Sequence, residues 1–272
     1  MPRSLTRQLV SFVRAFGTVA GIRIWCSLLI QSHLLLRRTF GVRLPGMAAP
    51  IYLRRQDLPI FWQIMVMREY DLQSIPQARR LMAAYEALQS EGKKPIIVDC
   101  GGHVGLSAVW FANRFPDALV YVIEPERSNF QLLQRNTAAY RQVIPLHGGV
   151  WGQPCRLVIS NPSAGNASFL LREVPESAAA SGSDSLRGYS IEGLSPPPDL
   201  SGLFVVKIDI EGAEAELFQG SAEWLRIVKL VIIELHDWLL PWQGTSRNFF
   251  KRIAEHNFDV VVRGENLLLF QP

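Results

Sequence analysis

The stretch that most restricts the fold begins at Ile96. An apolar run of strand length, Ile96-Ile97-Val98-Asp99, leads into Cys100-Gly101-Gly102-His103-Val104-Gly105 and then into a helical apolar pattern over 106–115. Strand, glycine turn and helix in that order open a βαβ unit, and so a largely parallel α/β sheet. Glycines let the backbone come close to a ligand at the start of a helix. The spacing D-x-G-G-x-x-G departs from the dinucleotide pattern G-x-G-x-x-G, and Asp99 would repel a pyrophosphate. A carboxylate at the strand end suits a ligand with a cationic amine, of which S-adenosylmethionine is one.

Two more strands extend this unit. The first, over 118–123, ends in Glu124-Pro125 and precedes a helix over 127–140. An acid at that strand end can accept both ribose hydroxyls of a nucleoside, whereas an exposed Glu capping its helix is the plainer alternative. The second, over 143–146, leads to His147-Gly148-Gly149-Val150-Trp151-Gly152, which reads as a turn that admits an adenine ring, with Trp151 placed to stack on it. His147 reads as a polar residue ending its strand. The expected cofactor contacts are therefore Asp99, Gly101, Gly102, His103, Gly105, Glu124 and Val150. Residues 152–200 hold a hairpin around 155–160 and then a loop-rich insertion with Ser, Gly, Ala and Pro in excess.

A second constellation runs from Leu203 to Glu214. Read as a strand, it sets Lys207, Asp209 and Glu211 on one face, since alternate residues share a side. A lysine and two acids ending a buried strand are costly unless paired or used, so they form either an ion-pair network or chemical machinery. Glu214 opens the next helix, where a carboxylate suits the dipole. One strand on, 231–237 puts Glu234 and His236 on one face, and a histidine at the carboxyl end of an interior strand faces the crevice where such sheets bind ligands. A helix over 245–256 follows, then strands over 258–262 and 266–270 joined by Arg263-Gly264-Glu265.

Charge separates the N-terminus from the rest. Nine arginines precede the first acid, Asp57, and residues 57–272 carry a net −5. An acidic body is ill suited to a phosphate backbone, so nucleic acid is not expected as a partner. Residues 5–16 pattern as a basic amphipathic helix, with Leu5, Leu9, Phe12, Val13 and Phe16 opposite Arg3, Arg7 and Arg14. The apolar run from Ile24 to Leu36 is too short to span a bilayer and, ending in Arg37-Arg38, does not resemble a signal peptide. Two readings stay open: the leader lies on an anionic membrane face, or it packs on the body with its arginines in water. Cys26, Cys100 and Cys155 give neither a disulfide framework nor a zinc pattern, which points to the reducing cytoplasm.

These pieces together resemble the FkbM-type family of S-adenosylmethionine-dependent methyltransferases. The resemblance rests on VDCGGHVGLSA from Val98, VIEPERSNFQLLQRN from Val122, VVKIDIEGAEAELFQG from Val205 and IIELH from Ile232, and covers roughly residues 51–270. Two positions depart from it. The family more often has Asn where His103 stands, and the stretch over 190–194 lacks the family's Thr-Leu-Asp. The resemblance implies the class I methyltransferase fold, a Rossmann-like, doubly wound, seven-stranded α/β sheet with an antiparallel last strand. It also implies a hydroxyl acceptor on a glycan, sugar or small metabolite. Three units are expected: a basic helical leader (1–46), an accessory strand and helix segment (47–92), and the cofactor-binding domain (93–272). In-line methyl transfer rests mainly on positioning, and a hydroxyl gains from a base. Asp209 and His236 are expected to hold and deprotonate the acceptor, with Glu211 and Glu214 orienting it or steadying the strand end. No metal is assigned, although Asp209, Glu211 and His236 form the set that would hold magnesium or manganese. The alternatives are a membrane-associated nucleotide-binding module without transfer and a nicotinamide-dependent oxidoreductase.

Overall fold

The computed structural model describes residues 4–31, 39–161, 169–175, 185–194 and 196–272. The chain opens with helices α1 (Leu5–Phe16) and α2 (Thr18–Leu29), a two-stranded antiparallel ribbon of β1 (Phe40–Val42) and β2 (Ile51–Leu53), and α3 (Leu58–Phe61). A single helix is expected over 58–70. Instead α3 widens into a π-helical turn at Trp62–Val66, and Arg68 takes a left-handed conformation with φ of 53°. Helix α4 (Ala78–Ser90) completes the accessory segment.

The main sheet takes β3 (Ile96–Cys100), β4 (Leu119–Glu124), β5 (Val143–Val150), β6 (Cys155–Ile159), β7 (Leu171–Val174), β8 (Leu186–Tyr189), β9 (Leu203–Ile208), β10 (Leu230–Glu234), β11 (Asp259–Arg263) and β12 (Asn266–Phe270). Its order is β11-β12-β10-β9-β3-β4-β5-β8-β6-β7. The first seven in that order are the expected core, with β12 running antiparallel to β10. The sheet does not stop at seven strands. β6 falls where a hairpin is expected, and part of the segment read as loop-rich folds as β7 and β8; β8 pairs with the free edge of β5, which would otherwise expose unpaired backbone groups, and β6 and β7 extend the sheet beyond it.

The central strands are apolar throughout because both faces are covered. Along β3, Ile97 joins one core cluster while Ile96, Val98 and Cys100 join the other, and Val120 and Val122 of β4 are likewise separated from Tyr121 and Ile123. Helices α5 (Leu106–Arg114) and α6 (Arg127–Thr137) cover the first face. Helices α7 (Glu214–Gln219) and α8 (Arg247–Ile253), with Trp224 beside them, cover the second.

The third strand runs further than expected. The glycines read as a turn after residue 146 lie inside β5, where Gly148 and Gly149 pair with Arg187 and Gly188 of β8. A Cβ on Gly148 would meet the Arg187 carbonyl oxygen at 2.2 Å, so the close strand approach explains the residue. Trp151, expected to stack on a ligand, is instead buried in the core, and its backbone N–H donates to the Tyr189 carbonyl at 2.8 Å.

The leader packs against the accessory segment. Phe12, Ile24 and Leu28 are buried, and the Phe12 ring meets Trp62 edge-on at 5.4 Å. The second half of the apolar run, residues 32–38, lies outside the described residues. Helix α2 turns Ile24 and Leu28 inward and leaves Val19 and Ile22 exposed, as is Ile30 just past its end. Among the described residues no helix is long and apolar enough to cross a membrane.

Candidate active site

A cleft of about 600 Å³ opens at the carboxyl ends of β3, β4 and β9, with β5 along one side. Gly101, His103, Glu124, Val150, Asp209 and Glu211 all line it. The structure does not bring Asp99, Gly102, Gly105 or His236 to its wall.

Asp99 is the largest correction. It shares a face of β3 with Ile97, so it projects beneath α5 and is wholly buried. Its neighbour across the β3–β9 register is Lys207, whose Nζ lies 3.2 Å from Asp99 Oδ1, and Ser107 Oγ donates to Oδ2 at 2.5 Å. Lys207 also donates to the Gly101 carbonyl at 2.8 Å and reaches Asp209 Oδ2 at 3.3 Å. Burial alone would lower the lysine pKa, but Asp99 and Asp209 hold it well above the usual value. Lys207 pairs with Asp209 at the strand end, and also with Asp99, expected at the cofactor instead. The pair braces the glycine turn from behind.

Gly101 bears the turn itself. Its φ of +86° is left-handed, and a Cβ there would sit 1.8 Å from the Asp209 carbonyl oxygen. Gly102 is pressed against Val122 of β4 and Leu133 of α6, and Gly105, itself left-handed at φ of +84°, against Leu133. His103 follows with φ of 47°, a region that Asn tolerates better than most residues, which gives a physical reason for Asn at this position in the resembling family. Burial holds its imidazole below the ordinary value.

Glu124 is 5% exposed and already accepts three hydrogen bonds. The His103 N–H donates to Oε2 at 2.8 Å, while the Glu126 N–H at 3.0 Å and Asn129 Nδ2 at 3.2 Å donate to Oε1. A carboxylate has about four lone-pair sites, so roughly one remains, and acceptance of both ribose hydroxyls would require a protein donor to give way. Burial pushes its pKa up to about 8 against those hydrogen bonds.

The second group gathers at the ends of β9 and β10. Strand β9 stops at Ile208, so Asp209 and Glu211 stand beyond it, with Glu211 in a left-handed turn at φ of 53°. His236, expected at the acceptor, is 1% exposed and stands next to Asp209 and Glu211 of the cleft wall without lining the cleft itself. Its Nδ1 lies 2.7 Å from Glu214 Oε1. Its Nε2 faces Asp209 at 3.6 Å, Glu211 at 3.7 Å and Glu234 at 3.6 Å. Burial would lower the His236 pKa, but Glu214, then Asp209 and Glu211, raise it to about 9, so the imidazole alone is a poor base at neutral pH. Burial and the neighbouring Asp209 lift both Glu211 and Glu234 to about 7.

Sequence reasoning missed the outer walls. The accessory segment supplies Gln56, Asp57, Ile60 and Gln63, and the β6–β7 extension supplies Phe169 and Leu171. Asp57 is fully buried, paired with Arg54 at 2.9 Å and 3.7 Å from His103 Nε2. Its place as the first acid of the chain carried no signal for this packing.

The model of the Methyltransferase FkbM domain matches residues 99–259, more than half of the chain. Hexuronic acid methyltransferase AglP of Haloferax volcanii is 26% identical over 233 residues, covering 84% of this chain and 86% of that protein. Methyltransferase sdnD of Sordaria araneosa is 27% identical over 171 residues, or 52% of this chain and 66% of its own length. A precorrin-6y C5,15-methyltransferase crystal structure from Geobacter metallireducens overlaps 65% of this chain and 78% of its own at a TM-score of 0.36 and 12% identity, too loosely to inform the site.

Proposed function

The chain belongs to the FkbM methyltransferase family, and on that premise we propose that it is an S-adenosylmethionine-dependent O-methyltransferase acting on a hydroxyl of a glycan, sugar or small metabolite. The observation that carries this reading is one cleft with a nucleoside-like wall at Gly101, Glu124 and Val150 and two carboxylates, Asp209 and Glu211, beside it. The donor set fits the cofactor. Glu124 keeps an acceptor site for a ribose hydroxyl, and Ile123, Val150, Phe169 and Leu171 offer an apolar bed for a base. When bound, S-adenosylmethionine supplies an electrophilic methyl group on a sulfonium.

The residues of the chain do the rest. Asp209 and Glu211 accept the hydrogen bond of the acceptor hydroxyl and orient its oxygen, and Glu211 takes its proton. His236 and Glu214 stand behind them as positioning residues, a change from the roles expected for His236. AglP, a hexuronic acid methyltransferase, supports a sugar acceptor. Exposed Arg7, Arg14 and Arg23, with the outward side of α2, support peripheral seating on an anionic membrane and thus a lipid-linked glycan.

Isothermal titration of the full chain with S-adenosylmethionine and with NAD tests the cofactor, and binding of NAD alone overturns the reading. Incubation with methyl-labelled donor and fractionated cell-envelope glycans tests the acceptor. Label is expected in a hexuronic-acid-containing fraction as a base-stable ether.

A further inference from the structure

The cluster where Asp209 and Glu211 of the cleft wall meet His236 and Glu234 has the chemistry of a cation site. His236 Nδ1 lies 2.7 Å from Glu214 Oε1, which occupies that ring nitrogen and leaves Nε2 as the one turned toward the remaining carboxylates. That nitrogen is directed at Asp209 Oδ1, Glu211 Oε2 and Glu234 Oε1, at 3.6, 3.7 and 3.6 Å. None of the three is within hydrogen-bond distance of Nε2, so the ring nitrogen and the carboxylates surround a shared space without closing on one another. Glu211 Oε2 is likewise buried without a hydrogen-bond partner among the described residues. Asp209 spends its other oxygen, Oδ2, on Lys207, so Oδ1 is the one presented.

We propose that Asp209, Glu234 and the Nε2 of His236 form a divalent cation site, with Glu214 holding the histidine as its outer partner and Glu211 at its edge. The three ligand atoms lie within 4.8 Å of one another. A carboxylate gripping the far nitrogen of a ligating histidine is the usual outer support of such a site. Oxygen donors with one imidazole suit manganese, and magnesium as a weaker occupant. The charge balance agrees. Lys207 is shared with Asp99, so four carboxylates, Asp209, Glu211, Glu214 and Glu234, crowd one imidazole, and a dication offsets the excess. Its task would be to bind the acceptor hydroxyl and lower its pKa. That task rests on the methyl-transfer reading, whereas binding of the cation does not.

The test uses the full chain stripped with EDTA and titrated with Mn²⁺, followed by the loss of the free-ion paramagnetic resonance signal, with S-adenosylmethionine binding measured separately by calorimetry. One Mn²⁺ site is expected, competed by Mg²⁺. Glu234→Gln should weaken it by about tenfold or more, and Glu214→Gln by about 10–100-fold, while cofactor affinity holds within about twofold. Substoichiometric Mn²⁺ should broaden the His236 ring resonances before those of the other histidines, a wild-type readout independent of whether the variants fold. Absence of any site at millimolar Mn²⁺, or earlier broadening of another histidine, overturns the cation proposal even if cofactor binds. Mn²⁺ binding without cofactor binding sinks the methyl-transfer reading and leaves the cation site standing.

Discussion

A lysine ammonium sealed between strands persists only if its charge is matched, and Lys207, 2% exposed, is matched by Asp99 at 3.2 Å and Asp209 at 3.3 Å. Lys207→Met leaves a buried carboxylate without its cation. The expected loss is about 3–5 kcal/mol in urea unfolding, with part recovered in Lys207→Met/Asp99→Asn because both charges then leave together. Equal losses in the single and double variants would mean that the pair is not coupled. Glu124 sets a pH dependence. Its pKa rises from 4.5 to about 8 on folding, so it favours the protonated fold. That stability is complete below pH 4.5 and is lost as pH climbs through about 8. Binding runs the other way, because accepting a ribose hydroxyl needs the ionised form. The groups facing it are Glu126, whose charge raises it, the His103 N–H with Asp57 and Arg54 behind, and Asn129. Affinity for 5′-methylthioadenosine, which lacks the titrating amine of the full cofactor, should therefore strengthen from pH 6.5 to pH 9 in the wild type and stay flat in Glu124→Gln.

At the scale of elements, the strands of the core were legible and the walls of the cleft were not. β3, β4, β9 and β10 appear as apolar runs because both faces are covered. Strand parity was legible too, and it could have placed Asp99 under α5, since it shares the side of Ile97. The position of Asp99 at a strand end beside a glycine turn points the other way, toward a ligand. The addition of β8 to β5 was hidden because Gly148 and Gly149 are turn residues by composition, and only the approach of another strand's backbone accounts for them. Phe169 and Asp57 reach the cleft through long-range packing that no local pattern encodes. The glycine turn ties these scales together. Gly101→Ala places a Cβ where the Asp209 carbonyl stands, in addition to about 1–2 kcal/mol for a left-handed residue. The β3 and β9 ends must part, so cofactor binding should fall below detection and the melting temperature should drop. Wild-type affinity in this variant would show that the turn does not form the cofactor wall.

Across the whole molecule, charge is divided between a leader without a single acid and a body with a net −5. The leader's packing does not exhaust its apolar surface. Phe12, Ile24 and Leu28 face the protein, yet Val19 is 73% and Ile22 41% exposed, with Arg23 beside them on the outer side of α2. Such a face suits a membrane interface, where apolar side chains enter the headgroup boundary and arginines meet anionic lipid. Exposed Arg7, Arg14 and Arg23 should contribute about 1 kcal/mol each at an anionic surface. Replacing all three with Gln should then weaken partitioning by roughly 100-fold, since about 1.4 kcal/mol is tenfold. The full chain should sediment with phosphatidylglycerol vesicles, remain in solution with phosphatidylcholine alone, and dissociate as salt shortens the screening length. Val19→Glu/Ile22→Glu should reduce sedimentation without lowering the melting temperature, because neither side chain supports the core. Binding that survives both sets of substitutions would place the membrane contact elsewhere, and binding equal for both lipids would remove the electrostatic part of the argument.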